Sequence, residues 1–341
     1  MRGCAPRRFL AVVVFAHARA YTFSVSFWQE IKKPIRALAP MHEVTDTAFR
    51  QVVARIAKPD VLFTEFVSVD GLCHEKSHEK IVRYYLSFTD SERPLVAQLW
   101  GSDPKKFNQA AHMVQQLGFD GIDINMGCPD KAVVKSGGGA ALIEQPRLAQ
   151  EIIAATKEGA RDLPVSVKTR IGFEKNEIES WMKALLEARP VVITVHGRTK
   201  KELSRVVARW DVIAQAADIA RGSGVLVIGN GDVKTMDDAW IKISQSGVDG
   251  VMVGRGILGN PWFFSETVPS LEDRLNAIVL HAHIFEESFD GVKSFAHLLK
   301  HLHAYAAGFV GAKDLRMQLM RATNAQEVAQ IVGAWRGVHG A

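Results

Sequence analysis

The chain has 341 residues, 47% hydrophobic and 23% charged, a globular composition with room for one large domain and a smaller one. Of the formal charge of +5, four positive charges belong to arginines within residues 1–24, leaving +1. Overall charge therefore gives no case for a polyanionic partner, and only local patches can. Three scattered cysteines (Cys4, Cys73, Cys128) fit neither a disulfide framework nor zinc spacing, so the expectation is a reducing, cytoplasmic setting without a metal.

In chain order, Arg7-Arg8 precedes the apolar run Phe9 to Ala16, and Ala18-Arg19-Ala20 resembles a cleavage site. This segment reads as a targeting peptide or as a translated extension ahead of a start near Val25. The second is preferred, because nothing downstream looks secreted, and residues 1–30 are set apart as an N-terminal extension. No later run is long and apolar enough to span a bilayer. Short apolar runs then recur at Ile35–Pro40, Val61–Phe66, Pro94–Trp100, Gly121–Asn125, Pro164–Thr169, Val191–His196, Val225–Gly229 and Gly250–Gly254. Amphipathic stretches alternate with them: Asp46–Ala57, Pro104–Leu117, Pro146–Glu158, Asn176–Ala188, Trp210–Ala220 and Thr235–Ser246. Several open on helix-start signals, such as Ser102-Asp103-Pro104. Eight strands alternating with helices predict a parallel (β/α)8 TIM barrel over residues 31–264, with an open doubly wound sheet as the other architecture. The runs are too continuously apolar for a half-exposed antiparallel sheet. Beyond residue 264 only helical patterns remain (Leu271–Ser288, Ser294–Ala307, Lys313–Arg321, Ala325–Trp335), predicting a small helical domain over residues 265–341.

In a barrel, reactive groups come from the C-terminal ends of the strands. Those ends carry Met41 and His42, Glu65, Gln98, Asn125 with Cys128, Lys168 with Arg170, His196 with Arg198, Asn230 with Asp232, and Arg255. So many polar groups at buried strand ends call for a ligand. Gly229-Asn230-Gly231-Asp232 and Gly254-Arg255-Gly256 end the last two strands, where barrels bind phosphate. Gly254, Gly256 and Gly259 spell a dinucleotide fingerprint, but Pro261 follows at once and no βαβ unit lies beyond. Lys168 could form a Schiff base, set a charge against an anionic flavin ring, or snorkel to the rim. Cys128 follows a buried strand in an Asn-x-Gly-Cys-Pro turn, ahead of a loop bearing Lys131 and Lys135 and the triple glycine Gly137–Gly139. Near its ordinary pKa of roughly 8.5 its thiol suits a proton donor better than a nucleophile. Cys73, His74 and His78 read as a loop-and-helix surface rather than a metal site.

The segments LAPMHEVTDTAFR, VAQLWGSDP, DINMGCPDKAVVKSGGGAALI, VKTRIG, HGRT, IGNGDV and VMVGRGILGNPWFF resemble the tRNA-dihydrouridine synthases from Ile35 to Phe264, and HLLKHLHAYAAGFVGAKDLRMQL extends the likeness more weakly. The resemblance implies an FMN-dependent barrel that reduces a uridine in tRNA, with NADPH reducing the flavin. It implies that Pro40, Met41 and His42 line the flavin, that Gln98 meets its ring edge, and that Lys168 and His196 lie close by. Asn230, Gly231, Asp232, Gly254 and Arg255 would hold the ribityl chain and phosphate. Asn125 would orient the uracil and Cys128 would donate the proton. Two departures stand out: Glu43 replaces a glycine usual two residues after Pro-Met, and no aromatic follows His-Gly-Arg-Thr until Trp210.

Substrate phosphates would meet Lys131, Lys135, Arg170, Lys175, Arg198, Lys200, Lys201 and Arg205 on the barrel, and in the helical domain Lys313 and Arg316, which share a face with Met320, with Arg321 alongside. A monomer is expected. Two other readings are a flavin barrel acting on a free pyrimidine or small enone, and a non-catalytic tRNA-binding protein. The basic rim and helical appendage weigh against the first, and Cys128 with Lys168 against the second.

Overall fold

The computed structural model describes residues 26–265, 267–289 and 291–339. Of the extension expected over residues 1–30, residues 1–25, with Cys4, lie outside them. Nine strands appear: β1 (Ile35–Leu38), β2 (Leu62–Phe63), β3 (Val67–Ser68), β4 (Leu95–Trp100), β5 (Gly121–Met126), β6 (Val165–Arg170), β7 (Val192–His196), β8 (Leu226–Asn230) and β9 (Gly250–Val253). All pair in parallel, in the order β1-β9-β8-β7-β6-β5-β4-β2, and a bridge from Ala37 to Val61 closes the ring. Of the second predicted strand, Val61–Phe66, only Leu62–Phe63 forms β2, and β3 begins just beyond it. β2 and β3 both pair with β4, and between them Thr64 turns its hydroxyl to accept the Gln98 N–H at 3.1 Å. Nine short strands thus fill eight barrel positions, the TIM-barrel architecture expected over the open sheet.

The helices start where short polar side chains can satisfy free N–H groups. Asp46 accepts from Phe49 N ahead of Thr47–Ala57, Asp103 from Lys105 N ahead of Pro104–Gln116, and Thr235 from Asp238 N ahead of Met236–Ser246. Three helical pieces go beyond the pattern visible in the sequence. Val69–Cys73 and Glu75–Tyr85 fill the connection from β3 to β4, and the second of these has no fully buried residue, so its pattern is weak. The lysine-bearing stretch expected as a loop is a short helix, Lys131–Lys135, capped by Asp130.

Trp28, 1% exposed, rises from the helix Phe27–Glu30 into the floor of the barrel, against Ile35, Phe63, Val192 and Met252. The larger apolar layer lies between strands and helices. A third cluster joins the helices Leu271–Phe289, Leu299–Tyr305, Ala312–Leu319 and Ala325–His339 to the barrel through Ala48 and Val52. Thr47–Ala57 is therefore apolar on two sides: Phe49 and Val53 face the barrel, Ala48 and Val52 the helical unit. Among the described residues no helix is long and apolar enough to cross a membrane.

The helices Pro104–Gln116 and Pro146–Ala160 approach closely at Gly159, where an added Cβ would lie 2.1 Å from Asn108 O. Helix propensity favours alanine over glycine by about 1 kcal/mol, but overpacking costs about 1–3 kcal/mol. Gly159→Ala is expected to lower the urea unfolding midpoint; a higher midpoint would show that the two helices can separate freely.

Candidate active site

The period-2 alternation of the strands decides which side chains meet inside the barrel. Ile122 and Ile124 of β5 face the helices, as do Val165 and Val167 of β6 and Ile193 and Val195 of β7. Asp123 and Asn125, Ser166 and Lys168, and Thr194 and His196 therefore point inward. Gln98 of β4 and Asn230 of β8 join them, above the apolar floor set by Val96, Val192 and Ile228. The top of the barrel interior is one polar layer on an apolar base.

That layer is hydrogen-bonded through. Ser166 Oγ donates to Asp123 Oδ1 at 2.6 Å, and Gln98 Nε2 donates to Asp123 Oδ2 at 2.7 Å. Asn125 Nδ2 donates to Gln98 Oε1 at 2.9 Å. Asn125 Oδ1 accepts the N–H groups of Gly127 at 3.1 Å and Cys128 at 2.8 Å. The carboxamide of Asn125, expected to orient a substrate base, thus holds the turn that carries Cys128. Gly139, at φ +58°, closes the other side of this turn, where a Cβ would come within 2.8 Å of Cys128 O. Burial pushes the Cys128 thiol above its ordinary value, so it stays protonated at neutral pH.

Lys168 Nζ donates to Asn230 Oδ1 at 3.1 Å, and Asn230 Nδ2 to Met252 O at 2.8 Å. Burial, and then the Arg170 charge, lower the Lys168 ammonium to about 8. Burial and the same cations hold His196 well below its ordinary value, and its Nε2 lies 3.1 Å from Arg198 Nη1. Neutral His196 is the form that accepts this bond.

At the last two loops, Asp232 sits at φ +49° and Gly231 at φ +123°, a tight turn over His196, where a Cβ on Gly231 would approach the imidazole to 3.1 Å. The N–H groups of Asp232, Arg255 and Gly256 find no acceptor among the described residues. Arg255 is exposed, 3.8 Å from the Asp232 carboxylate. A Cβ on Gly254 would lie 3.7 Å from Met41 Sδ, so the first loop packs directly beside the last, as their strands β1 and β9 pair. Pro40 is partly buried beside Met41, and His42 is exposed there, 5.2 Å from the Phe66 ring.

The basic residues divide. Lys131, Lys135, Lys175, Lys201 and Arg205 are exposed. Lys200 lies over the Phe173 ring at 4.4 Å. Arg170 and Arg198 are buried. Arg170 donates to the carbonyls of Gly127 (2.6 Å), Thr199 (3.1 Å) and Leu203 (3.2 Å), and Arg198 donates to Asp232 at 2.5 Å and Val206 O at 2.6 Å. Arg170 ties the end of β6 to the loops after β5 and β7, and Arg198 ties the loop after β7 to the one after β8, instead of presenting free charge, which differs from the expected surface contacts. In the helical unit Lys313, Met320 and Arg321 are exposed, whereas Arg316 is partly buried and donates to Ala306 O at 3.1 Å.

Asp123 and Ser166 are site residues that the strand-end pattern does not single out. A signal for one of them exists: Asp123 lies two residues before Asn125 and so shares its face. Burial lifts the Asp123 carboxyl to about 6. Glu65, a strand-end residue to which the sequence assigns no role, also gains one. Its carboxyl is buried, is pushed up to about 7 by that burial against the pull of Lys293, and accepts the N–H of Glu43.

Residues 37–335 match the family described as dihydrouridine synthase. A probable tRNA-dihydrouridine synthase of Staphylococcus aureus (strain MRSA252) is 39% identical over 311 residues, covering 89% of this chain and 93% of that protein. Probable tRNA-dihydrouridine synthase 2 of Bacillus subtilis (strain 168) is 37% identical, covering 90% and 95%. Among solved structures, a morphinone reductase mutant in complex with tetrahydroNAD aligns with a TM-score of 0.49 at 11% identity, over 67% of this chain and 85% of that one. With a thiol-bearing turn held over a polar barrel mouth and the family's pattern running through nearly all of its length, the chain belongs to the dihydrouridine synthase family of enzymes.

Proposed function

We propose that this enzyme reduces a uridine in tRNA to 5,6-dihydrouridine with FMN as its flavin, re-reduced by NADPH. The observation that carries the reading is the protonated Cys128 thiol, held by Asn125 at the mouth of a barrel whose opposite loops offer unpaired N–H groups.

The residues fit a flavin mononucleotide. The unpaired N–H groups of Asp232, Arg255 and Gly256, with the exposed Arg255 guanidinium, suit a phosphate. Pro40, Met41 and His42 border the mouth beside Gly254 and would flank the ring system. Gln98 has one amide hydrogen left for the edge of a ring, and neutral His196, with Nε2 facing Arg198, keeps its Nδ1–H to donate. Lys168 is a partly desolvated cation and would gain most from an anionic partner. When bound, the flavin would supply hydride to C6 of the uracil.

The part left to Cys128 is to deliver its proton to C5 as negative charge gathers there. A thiol whose pKa is raised by burial is in the right form for this and resists ionising early. Asn125 acts through its grip on the Gly127 and Cys128 N–H groups, fixing where the sulfur points. A base within folded tRNA has to leave its stack to reach this depth. Exposed Lys131, Lys135, Lys175, Lys201 and Arg205 ring the same end of the barrel and suit the phosphates of the strand around it. Lys313 and Arg321 extend that charge onto the helical unit, over residues 265–341.

Cys128→Ala is expected to abolish dihydrouridine formation in tRNA while FMN absorbance and tRNA retention stay at wild-type levels; full turnover by the alanine variant would remove the proton-donor role. A second outcome follows from Lys168. Its folded pKa of about 8 lies below the unfolded value of about 10.4, so burying the ammonium costs stability in full below pH 8, and the cost fades as pH rises toward 10. In flavin-free protein, Lys168→Met should raise the melting temperature at pH 7, with the gain shrinking between pH 8 and 10. A gain that did not vary with pH would show that the ammonium is solvated.

A further inference from the structure

We propose that Lys293, carried by the helical unit, is a positioning residue for the loop from Pro40 to Asp46, so that docking of the helical unit sets the shape of one wall of the flavin pocket. This rests on the flavin reading above. Lys293 lies in the turn after the helix Leu271–Phe289, yet its side chain is 0% exposed. Its ammonium lies 2.9 Å from Asp46 Oδ2 and 3.8 Å from Glu65 Oε2, over the rings of Tyr84 at 4.8 Å and Phe289 at 4.9 Å. Two carboxylates from different barrel positions thus meet one cation from the other unit. An ammonium is not buried for packing alone, since an aliphatic side chain would fill the same space without the desolvation cost.

Each carboxylate fixes a different part of the same loop. Asp46 ends it and caps Thr47–Ala57 through the Phe49 N–H, at 3.0 Å. Glu65 grips its middle by accepting the Glu43 N–H. Glu43 is held at φ +57°, a left-handed conformation that a non-glycine residue keeps only where its surroundings impose it. From there the loop runs back to Met41, whose N–H donates to Thr45 Oγ1 at 2.9 Å and whose sulfur neighbours Gly254. Direct contacts therefore run from Lys293 to Glu65 and from Glu65 to Glu43, two residues along the loop from Met41. Glu65 Oε2 has no hydrogen-bond partner among the described residues, and the nearby Arg50 is committed to Glu92 at 2.7 Å. Without Lys293, Asp46 and Glu65 would share a buried site with no lysine or arginine salt-bridge partner among the described residues, leaving only His42, 3.8 Å from Glu65 Oε1. One would take up a proton or turn away, and the hold on Glu43 would loosen.

The test uses the full-length protein, stripped of flavin and titrated with FMN by fluorescence, with melting temperature measured alongside. Four variants are compared with wild type: Lys293→Met, Lys293→Arg, Glu65→Ala and Val52→Ala. The last thins the contact between barrel and helical unit without touching the charge cluster. The proposal expects the FMN dissociation constant to rise about tenfold or more for Lys293→Met and Glu65→Ala, equivalent to about 1.4 kcal/mol. It expects Lys293→Arg to recover most of that loss, and Val52→Ala to lower the melting temperature while binding FMN as wild type does. Should Lys293→Met fail to fold, Glu65→Ala carries the comparison, because Lys293 keeps Asp46 as partner there. Wild-type affinity in Glu65→Ala or in folded Lys293→Met would overturn the coupling and leave the flavin reading intact. Equal weakening by Val52→Ala would overturn it in favour of packing alone. Failure of the wild-type protein to bind FMN would remove the flavin reading and this inference together.

Discussion

The carboxamide of Asn125 is the joint on which the site turns. One end donates to Gln98, and through it to Asp123 and Ser166; the other accepts two backbone N–H groups of the turn bearing Cys128. Buried polar groups have to find partners, because an unpaired one costs roughly as much as a lost hydrogen bond. A polar layer inside a barrel can meet that demand only by bonding across strands. The result is a rigid platform, and the Cys128 sulfur is fixed to its rim by the backbone rather than by its own side chain.

The two ends of the barrel serve different purposes. The floor is apolar, sealed by Trp28 and lined by Val96, Val192, Ile228 and Met252. The mouth concentrates groups that burial has pushed from their ordinary ionisation: Asp123, Glu65, Lys168, His196 and Cys128. It also holds Glu43 and Asp232 in left-handed backbone conformations. Such features work against stability, and their clustering at one end marks where the fold yields stability for chemistry. The apolar layer between strands and helices supplies the compensation.

The helical unit is part of this arrangement rather than an appendage. It shares the helix Thr47–Ala57 with the barrel through Ala48 and Val52, and it sends Lys293 to the carboxylates above that helix. The helix follows directly on the loop that faces Gly254. Contacts separated by more than 200 residues in the chain thus converge on the first barrel loop.

Much of this could be read from residues in order. Alternating apolar runs and amphipathic stretches set the barrel, because strand and helix periods are local properties. The helix starts at Asp46, Asp103 and Thr235 were legible because a cap acts on its own next turn. The Asn-x-Gly-Cys-Pro turn and the glycine pairs after the last two strands announced themselves in the same way. What the sequence could not supply was the partner of each charge. Arg170 and Arg198 look like surface cations in a string of letters, and only the closing of the barrel brings carbonyls and carboxylates around them. Glu43 looked like a departure at a glycine position; it keeps the left-handed backbone that glycine would take, with its N–H held by Glu65. Lys293, far along the chain, gave no local sign at all. Periodicity and turn chemistry act between neighbours and are written in the sequence, whereas the pairing of buried charges depends on distances that exist only once the chain has closed on itself.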